Sequence, residues 1–131
     1  MKMIKYFIIA LALVILLTAC NSTKTTSDDV TKNSVTNLSI EETKEFIQDQ
    51  EDLFILDVRN KDEYDAGHIE GAVLIPLSEL KNRIDEVEEY KDKPVLVYCR
   101  SGNRSSQAVK ILLDNDFLQI YHMKDGYMNY K

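Results

Sequence analysis

The segment Cys99-Arg-Ser-Gly-Asn-Arg104 places a thiol, two guanidinium groups and a glycine within six consecutive residues. These are the residue types of thiolate chemistry on anions. A cysteine attacks only as its thiolate, and a helix amino terminus or neighbouring arginines lower the thiol pKa from about 8.5 toward roughly 3.5–7.5. Gly102 suits the φ > 0 turn that lets successive backbone amides face inward as an anion nest. Residues 95–113 contain no Asp or Glu, while Arg100, Arg104 and Lys110 are basic, in a chain with 16 basic and 22 acidic residues overall. A structural core cysteine gains nothing from such neighbours, because unpaired cations near a core are costly. Cys99 therefore reads as a nucleophile inside an anion-binding loop made of Arg100, Ser101, Gly102, Asn103 and Arg104. Arg104 is the better ligand candidate, and Arg100 reads equally well as a surface charge.

The loop must be held by its flanks. Residues 95–98 form a short apolar, β-rich run after Pro94, the pattern of a strand buried on both faces. From about Arg104 onward, Ala108, Val109 and Leu112 recur at helical spacing, and Ser105 or Ser106 suits the capping of free amides. Strand, loop and helix in succession put Cys99 at a strand's carboxyl end, facing a helix amino terminus, where ligands bind in open α/β sheets. The remaining chain alternates in the same way. A strand is expected at 35–38, followed by a capping box, Ser39-Ile-Glu-Glu42, that opens a helix to about Gln50 with Ile40, Phe46 and Ile47 on its apolar side. Further strands are expected at 54–57, 72–75 and 119–122, with an amphipathic helix through Leu77, Leu80, Ile84 and Val87. The fold class is α/β, with five strands in a mostly parallel sheet and helices on both faces. About 95 residues suffice for one core and not for two.

Two segments carry a resemblance to a known family. Cys99-Arg-Ser-Gly-Asn-Arg104 resembles the Cys-x-x-Gly-x-Arg loop of single-domain rhodaneses, the thiosulfate and persulfide sulfurtransferases. Leu56-Asp-Val-Arg-Asn-Lys-Asp-Glu-Tyr-Asp-Ala-Gly-His-Ile-Glu-Gly-Ala72, followed by Ile75-Pro-Leu77, is similar to that family's Asp-x-Arg run ending in Gly-His-Ile-x-Gly-Ala. The resemblance implies a rhodanese-like fold with five strands and a Cys99 that takes a sulfane sulfur from thiosulfate or a persulfide as its own persulfide. It then passes that sulfur to a thiol or cyanide. This is double-displacement covalent catalysis, with the loop amides stabilising the anion. Related phosphatases and arsenate reductases have a loop one residue longer, which suits a tetrahedral oxyanion. A non-catalytic module that binds sulfide species or a protein partner is the alternative. Asp57, Arg59 and His68 are expected to support the site rather than react, and Arg59 with Glu63 has the spacing of a helical ion pair if Asn60 caps a short helix. The carboxyl end departs from the family pattern, with Asp125-Gly126 and Tyr127 where Gly-Gly and a tryptophan are usual. No metal or other cofactor is expected.

The amino terminus bears on location. Lys2 and Lys5 precede an apolar stretch at 6–17 that is shorter than the roughly 20 residues a membrane span needs and has the form of a secretory signal. Leu17-Thr-Ala-Cys20 resembles a bacterial lipobox, which implies cleavage after Ala19 and a lipid on Cys20. The expected organisation is a signal peptide at 1–19, a lipidated cysteine and polar tether at 20–35, and the folded domain at 36–131. Cleavage would leave 14 basic against 22 acidic residues, which argues against nucleic acid as a partner and against electrostatic adhesion to anionic lipid. Attachment to the extracytoplasmic face of a bacterial membrane would then come from acyl chains alone. The expected partners are small sulfur anions and low-molecular-weight thiols or a thiol protein, with the chain a monomer. With Cys20 lipidated, Cys99 is the single free thiol, exposed to oxidants and without a resolving cysteine.

Overall fold

The structure, a computed structural model, describes residues 32–131; the expected signal peptide, Cys20 and most of the tether lie outside the described residues. Five strands form one sheet in the order β1-β5-β4-β2-β3: β1 (Ser34–Leu38), β2 (Phe54–Asp57), β3 (Val73–Leu74), β4 (Pro94–Tyr98) and β5 (Gln119–Met123). Every pairing is parallel. All strands therefore end on the same edge of the sheet, and register sets Asp57 beside Tyr98, immediately before Cys99. Central β4 follows the side-chain alternation of a strand buried on both sides. Val95, Val97 and Cys99 belong to one apolar layer, Leu96 and Tyr98 to the other.

Helices α1 (Ile40–Asp49) and α2 (Lys61–Asp65) cover the second layer, whereas α3 (Leu77–Leu80) and α4 (Asn103–Asp114) cover the first. The expected capping box opens α1: the Ser39 hydroxyl accepts from the Glu42 amide at 3.3 Å and the Glu42 carboxylate accepts from the Ser39 amide at 2.7 Å. Asn60 and Glu63 repeat that arrangement at α2. Along α4, Ser105, Ala108, Val109 and Leu112 are buried, a spacing of three and four that faces one stripe toward β4 and β5.

Two element expectations change. The strand at 72–75 pairs only over Val73–Leu74, because Pro76 follows and the chain turns directly into α3. The helix expected through Val87 divides into α3 and a 3₁₀ segment, Ile84–Tyr90. The apolar residues of its second half, Ile84, Val87 and Tyr90, are spaced by three, which aligns them on one side of a 3₁₀ helix. Val87 is buried there, and Tyr90 stacks on Phe54 with ring centroids 4.0 Å apart.

Candidate active site

Cys99 leaves β4 at the sheet's carboxyl edge, and its sulfur is held by the loop that follows. The Gly102 amide donates to Sγ at 3.1 Å, and the Ser105 hydroxyl lies 3.4 Å from it. Burial by itself raises the thiol pKa. Hydrogen bonds from the Ser105 hydroxyl and from the amides of Ser105, Ser101 and Gly102 outweigh it, and the net shift is downward. The sequence attributed that shift partly to arginines. In the structure, hydroxyl and amide donors lead, because Arg104 is otherwise engaged. A second correction concerns access: Cys99 is 1% exposed, a buried thiol rather than an exposed one.

Loop curvature rests on two glycines. Gly102 adopts φ +94°, directly before α4, and a Cβ there would lie 2.0 Å from the Lys124 carbonyl oxygen. Gly126 adopts φ +72°, and a Cβ would lie 2.2 Å from the Arg100 carbonyl oxygen. The segment after β5 thus docks against the Cys99 loop backbone to backbone, and the amides of Tyr127 and Met128 donate to the carbonyls of Cys99 and Arg100 at 2.8 and 3.1 Å. Ser105 and Ser106 do not cap α4 through their hydroxyls as expected. The Ser106 hydroxyl donates to the Asn103 carbonyl, and Ser105 turns inward to Cys99 and the Gly102 carbonyl. Gly102 is the capping residue, since no side chain fits so tight a turn. Asn103 opens the helix, and its side chain accepts from Gln107 at 3.4 Å.

Arg104 is bound in a two-pronged ion pair by Glu63, at 2.7 and 2.8 Å. The expected pairing of Arg59 with Glu63 is therefore replaced. Glu63 belongs to the capping box of α2, and its carboxylate reaches Arg104 of the Cys99 loop, 41 residues away in sequence. The Arg104 bond is the leading cause that holds Glu63 down at about 2, against a smaller opposing effect of burial. Arg104 is raised chiefly by Glu63, with the Cys99 charge a lesser contributor.

Arg59 turns instead to Asp57. Its Nε lies 3.0 Å from both carboxylate oxygens, one Nη lies 2.6 Å from Oδ2, and the same Nη donates to the Gly67 carbonyl at 2.8 Å. Burial opposes the charge on Arg59, and Asp57 outweighs it. The guanidinium sits 4.3 Å from the centroid of the Tyr127 ring, so Tyr127 covers the pair that joins the end of β2 to the loop before β3. Asp57 and Arg59 thus tie the end of β2 to the loop at Gly67. His68 is exposed, stacks on Tyr64 at 3.7 Å between centroids, and sets Nδ1 2.9 Å from the Tyr64 carbonyl, all of which are contacts of a structural residue.

Beside the loop opens a cleft of about 300 Å³, lined in part by Arg100, Glu63, Tyr127, Met128 and Lys131. Arg100, exposed and adjacent to Cys99 in sequence, is thus among the residues that line the cleft. Three site residues escaped sequence reasoning: Glu63, Ser105 as a thiol partner, and His122. His122, on β5, is buried and lies 2.8 Å from the Ser105 hydroxyl through Nε2 and 3.0 Å from Asn37 Oδ1 through Nδ1. Burial leads in pulling its pKa down, partly offset by the Gly102 carbonyl and Asp125. The available signal was a histidine at an inward-facing position of a strand otherwise apolar on that side.

Known proteins are similar to this chain in sequence and in fold. The uncharacterized protein YqhL of Bacillus subtilis is 44% identical over 73 residues, which is 56% of each chain. A tRNA uridine(34) hydroxylase of Cronobacter sakazakii is 34% identical over 86 residues, covering 63% of this chain and 25% of that protein. This chain therefore matches little more than half the length of YqhL and a quarter of the hydroxylase. The crystal structure of SSP1007 from Staphylococcus saprophyticus superposes with a TM-score of 0.65 at 26% identity, covering 73% of this chain and 93% of that one. Human single-domain sulfurtransferase TSTD1 shares the fold, with a TM-score of 0.63 at 21% identity over 74% of this chain and 96% of that one. Residues 39–131 match the sequence profile of the rhodanese-like domain, from the capping box of α1 through the segment that closes over the Cys99 loop, and the chain belongs to that family.

Proposed function

We propose that the protein is a sulfurtransferase that carries a sulfane sulfur on Cys99. The observation that supports this most is the sulfur cradle: Cys99 Sγ accepts from the Gly102 amide and faces the Ser105 hydroxyl at the head of α4. These donors favour an anionic sulfur. The Cys99 thiolate attacks the outer sulfur of a donor, a Cys99 S–S bond forms, and the donor's own S–S bond breaks to release sulfite from thiosulfate or a thiolate from a persulfide. A thiolate or cyanide then takes the outer sulfur and restores the Cys99 thiolate. The six-residue loop is one residue shorter than that of the related phosphatases, which favours this reading over phosphatase chemistry.

The engagement of Arg104 by Glu63 bears on the donor. A dianion such as thiosulfate meets a carboxylate in the cleft wall, whereas a persulfide with a single charge meets less repulsion, with Arg100 and Lys131 nearby. Intact-mass spectrometry of the full-length chain, before and after exposure to thiosulfate or to a low-molecular-weight persulfide, tests the reading. The expected result is a gain of about 32 Da, the mass of one sulfur on the nucleophile, absent in Cys99→Ser and discharged by cyanide or thiol. A chain that loads sulfur from neither donor is instead the non-catalytic binding module.

The same proposal carries the location. A cleaved signal at 1–19 and a lipid on Cys20 would tether the domain, through 20–35, to the extracytoplasmic face of a bacterial membrane. Metabolic labelling with a radioactive fatty acid is expected to mark the chain and to fail in Cys20→Ser, which should leave the membrane fraction. Labelling that survives the substitution ends this part of the proposal.

A further inference from the structure

A hydrogen-bonded chain, Cys99–Ser105–His122–Asn37, runs from three buried residues to an exposed position on β1, with Sγ to Oγ at 3.4 Å, Oγ to Nε2 at 2.8 Å and Nδ1 to Oδ1 at 3.0 Å. We propose that this chain is a proton relay in which His122 accepts the Cys99 proton through the Ser105 hydroxyl. The need for one is geometric. Cys99 is 1% exposed, so deprotonation by bulk solvent is obstructed, and the thiol requires an internal acceptor.

Proton bookkeeping fits the arrangement. Asn37 Oδ1 is an acceptor only, so the facing Nδ1 carries a hydrogen and the neutral ring presents a bare Nε2 to Ser105. The thiol donates to Oγ and the hydroxyl donates to Nε2. In the transfer the S–H bond breaks as a new Oγ–H bond forms, while the old Oγ–H bond breaks as Nε2–H forms. The products are a thiolate, an intact hydroxyl that now donates to it, and an imidazolium whose Nδ1–H remains on Asn37. The Gly102 amide holds the sulfur throughout, and the Gly102 carbonyl, 3.0 Å from Oγ, is the competing acceptor.

The surroundings of His122 set the pH behaviour. Asn37 faces the ring from β1, Val97 pairs with it from β4, and Ser105 faces it from α4, none of them charged. Burial leads in disfavouring the imidazolium and lowers the pKa of the ring, while the Gly102 carbonyl and Asp125, after β5, favour the charged form. A proton that leaves Cys99 for His122 ties the two titrations together, and the relay is therefore expected to keep the thiolate below the pH at which an isolated thiol would lose it.

Alkylation of Cys99 by iodoacetamide, followed site by site by peptide mass spectrometry on the full-length chain from pH 5 to 10, tests the relay without requiring sulfur transfer. His122→Gln keeps a hydrogen-bonding group but takes up no proton. It is expected to lower the rate at pH 6 about tenfold, the effect of a one-unit shift in the inflection, and to leave the rate at pH 9.5 within twofold. Ser105→Ala should cause a similar loss, and the double variant should lose no more than either single one, as links in series require. Asn37→Asp, at an exposed strand position where folding is tolerant, should raise the rate at pH 6 several-fold by favouring the imidazolium. The relay is overturned if His122→Gln follows the wild-type profile, if the two single losses multiply in the double variant, or if Asn37→Asp brings no gain. Should His122→Gln fail to fold, the Asn37→Asp result decides alone.

Discussion

The Arg104 guanidinium belongs to the Cys99 loop, yet Glu63 holds it at 2.7 and 2.8 Å, so its charge is already matched before any anion arrives. Under the sulfurtransferase reading, Glu63→Gln should lower the thiosulfate KM about tenfold with little change in kcat, since removal of a carboxylate next to an anion site is worth on the order of 1–2 kcal/mol when partly screened by solvent. Steady-state kinetics with thiosulfate and with a persulfide donor check this, and a persulfide KM that falls equally would refute a selective role. The same pair has a signature in stability. Glu63 sits at about 2 in the folded state against an ordinary value of 4.5, a depressed carboxylate, so its contribution is complete above pH 4.5 and is lost as pH falls toward 2. Urea titrations between pH 6 and 2.5 should show Glu63→Gln to be less stable than the parent at pH 6, with the difference shrinking through that window. Glu63 appeared in the sequence as a helical partner of Arg59, four residues away. Local spacing has no access to the short buried reach by which Arg59 closes back on Asp57, nor to an arginine 41 residues away.

At the scale of elements, the Cys99 loop is a joint between two segments rather than a free turn. Gly102 and Gly126 each occupy φ > 0 and each touch the other segment's backbone. Gly126→Ala is expected to destabilise by about 2–4 kcal/mol, from left-handed backbone strain together with a contact that must separate. It should also slow Cys99 alkylation, although residue 126 lies 27 positions from the thiol. Chemical denaturation and alkylation kinetics measure the two effects, and a stable variant with altered alkylation alone would show the joint to be functional without being structural. The strand-loop-helix unit was readable because apolar runs and helical spacing are local properties. Capping was readable at Ser39, where the box is complete within four residues, and not at Ser105, whose hydroxyl has better partners across the fold. The 3₁₀ segment Ile84–Tyr90 was hidden because apolar spacing alone does not separate it from an α-helix across two turns.

Taken whole, the molecule is a parallel sheet between two apolar layers, with the site at the edge where all strands end. Leu112 is fully buried beneath α4 in the layer that also contains Cys99. Leu112→Ala should cost about 2–5 kcal/mol, a large share of the stability of a domain this size. It should also loosen the helix whose first turn holds the sulfur, and a urea midpoint unchanged from the parent would exclude that packing role. Sequence alone determined the class of the fold, the strand-loop-helix unit that carries Cys99 and the family resemblance. Each of these is written in neighbouring residues, where hydrophobic period, turn chemistry and motif spacing act over a few positions. Tertiary structure alone decided which charges meet and where the thiol's proton can go. Parallel crossovers bring Asn37, Glu63, Cys99, Ser105 and His122 together from five separate segments, and only the register of β1, β4 and β5 aligns three of those segments on one face. Partner choice among buried polar groups follows from which atoms desolvation leaves within reach of one another, a property of the folded chain that sequence separation does not encode.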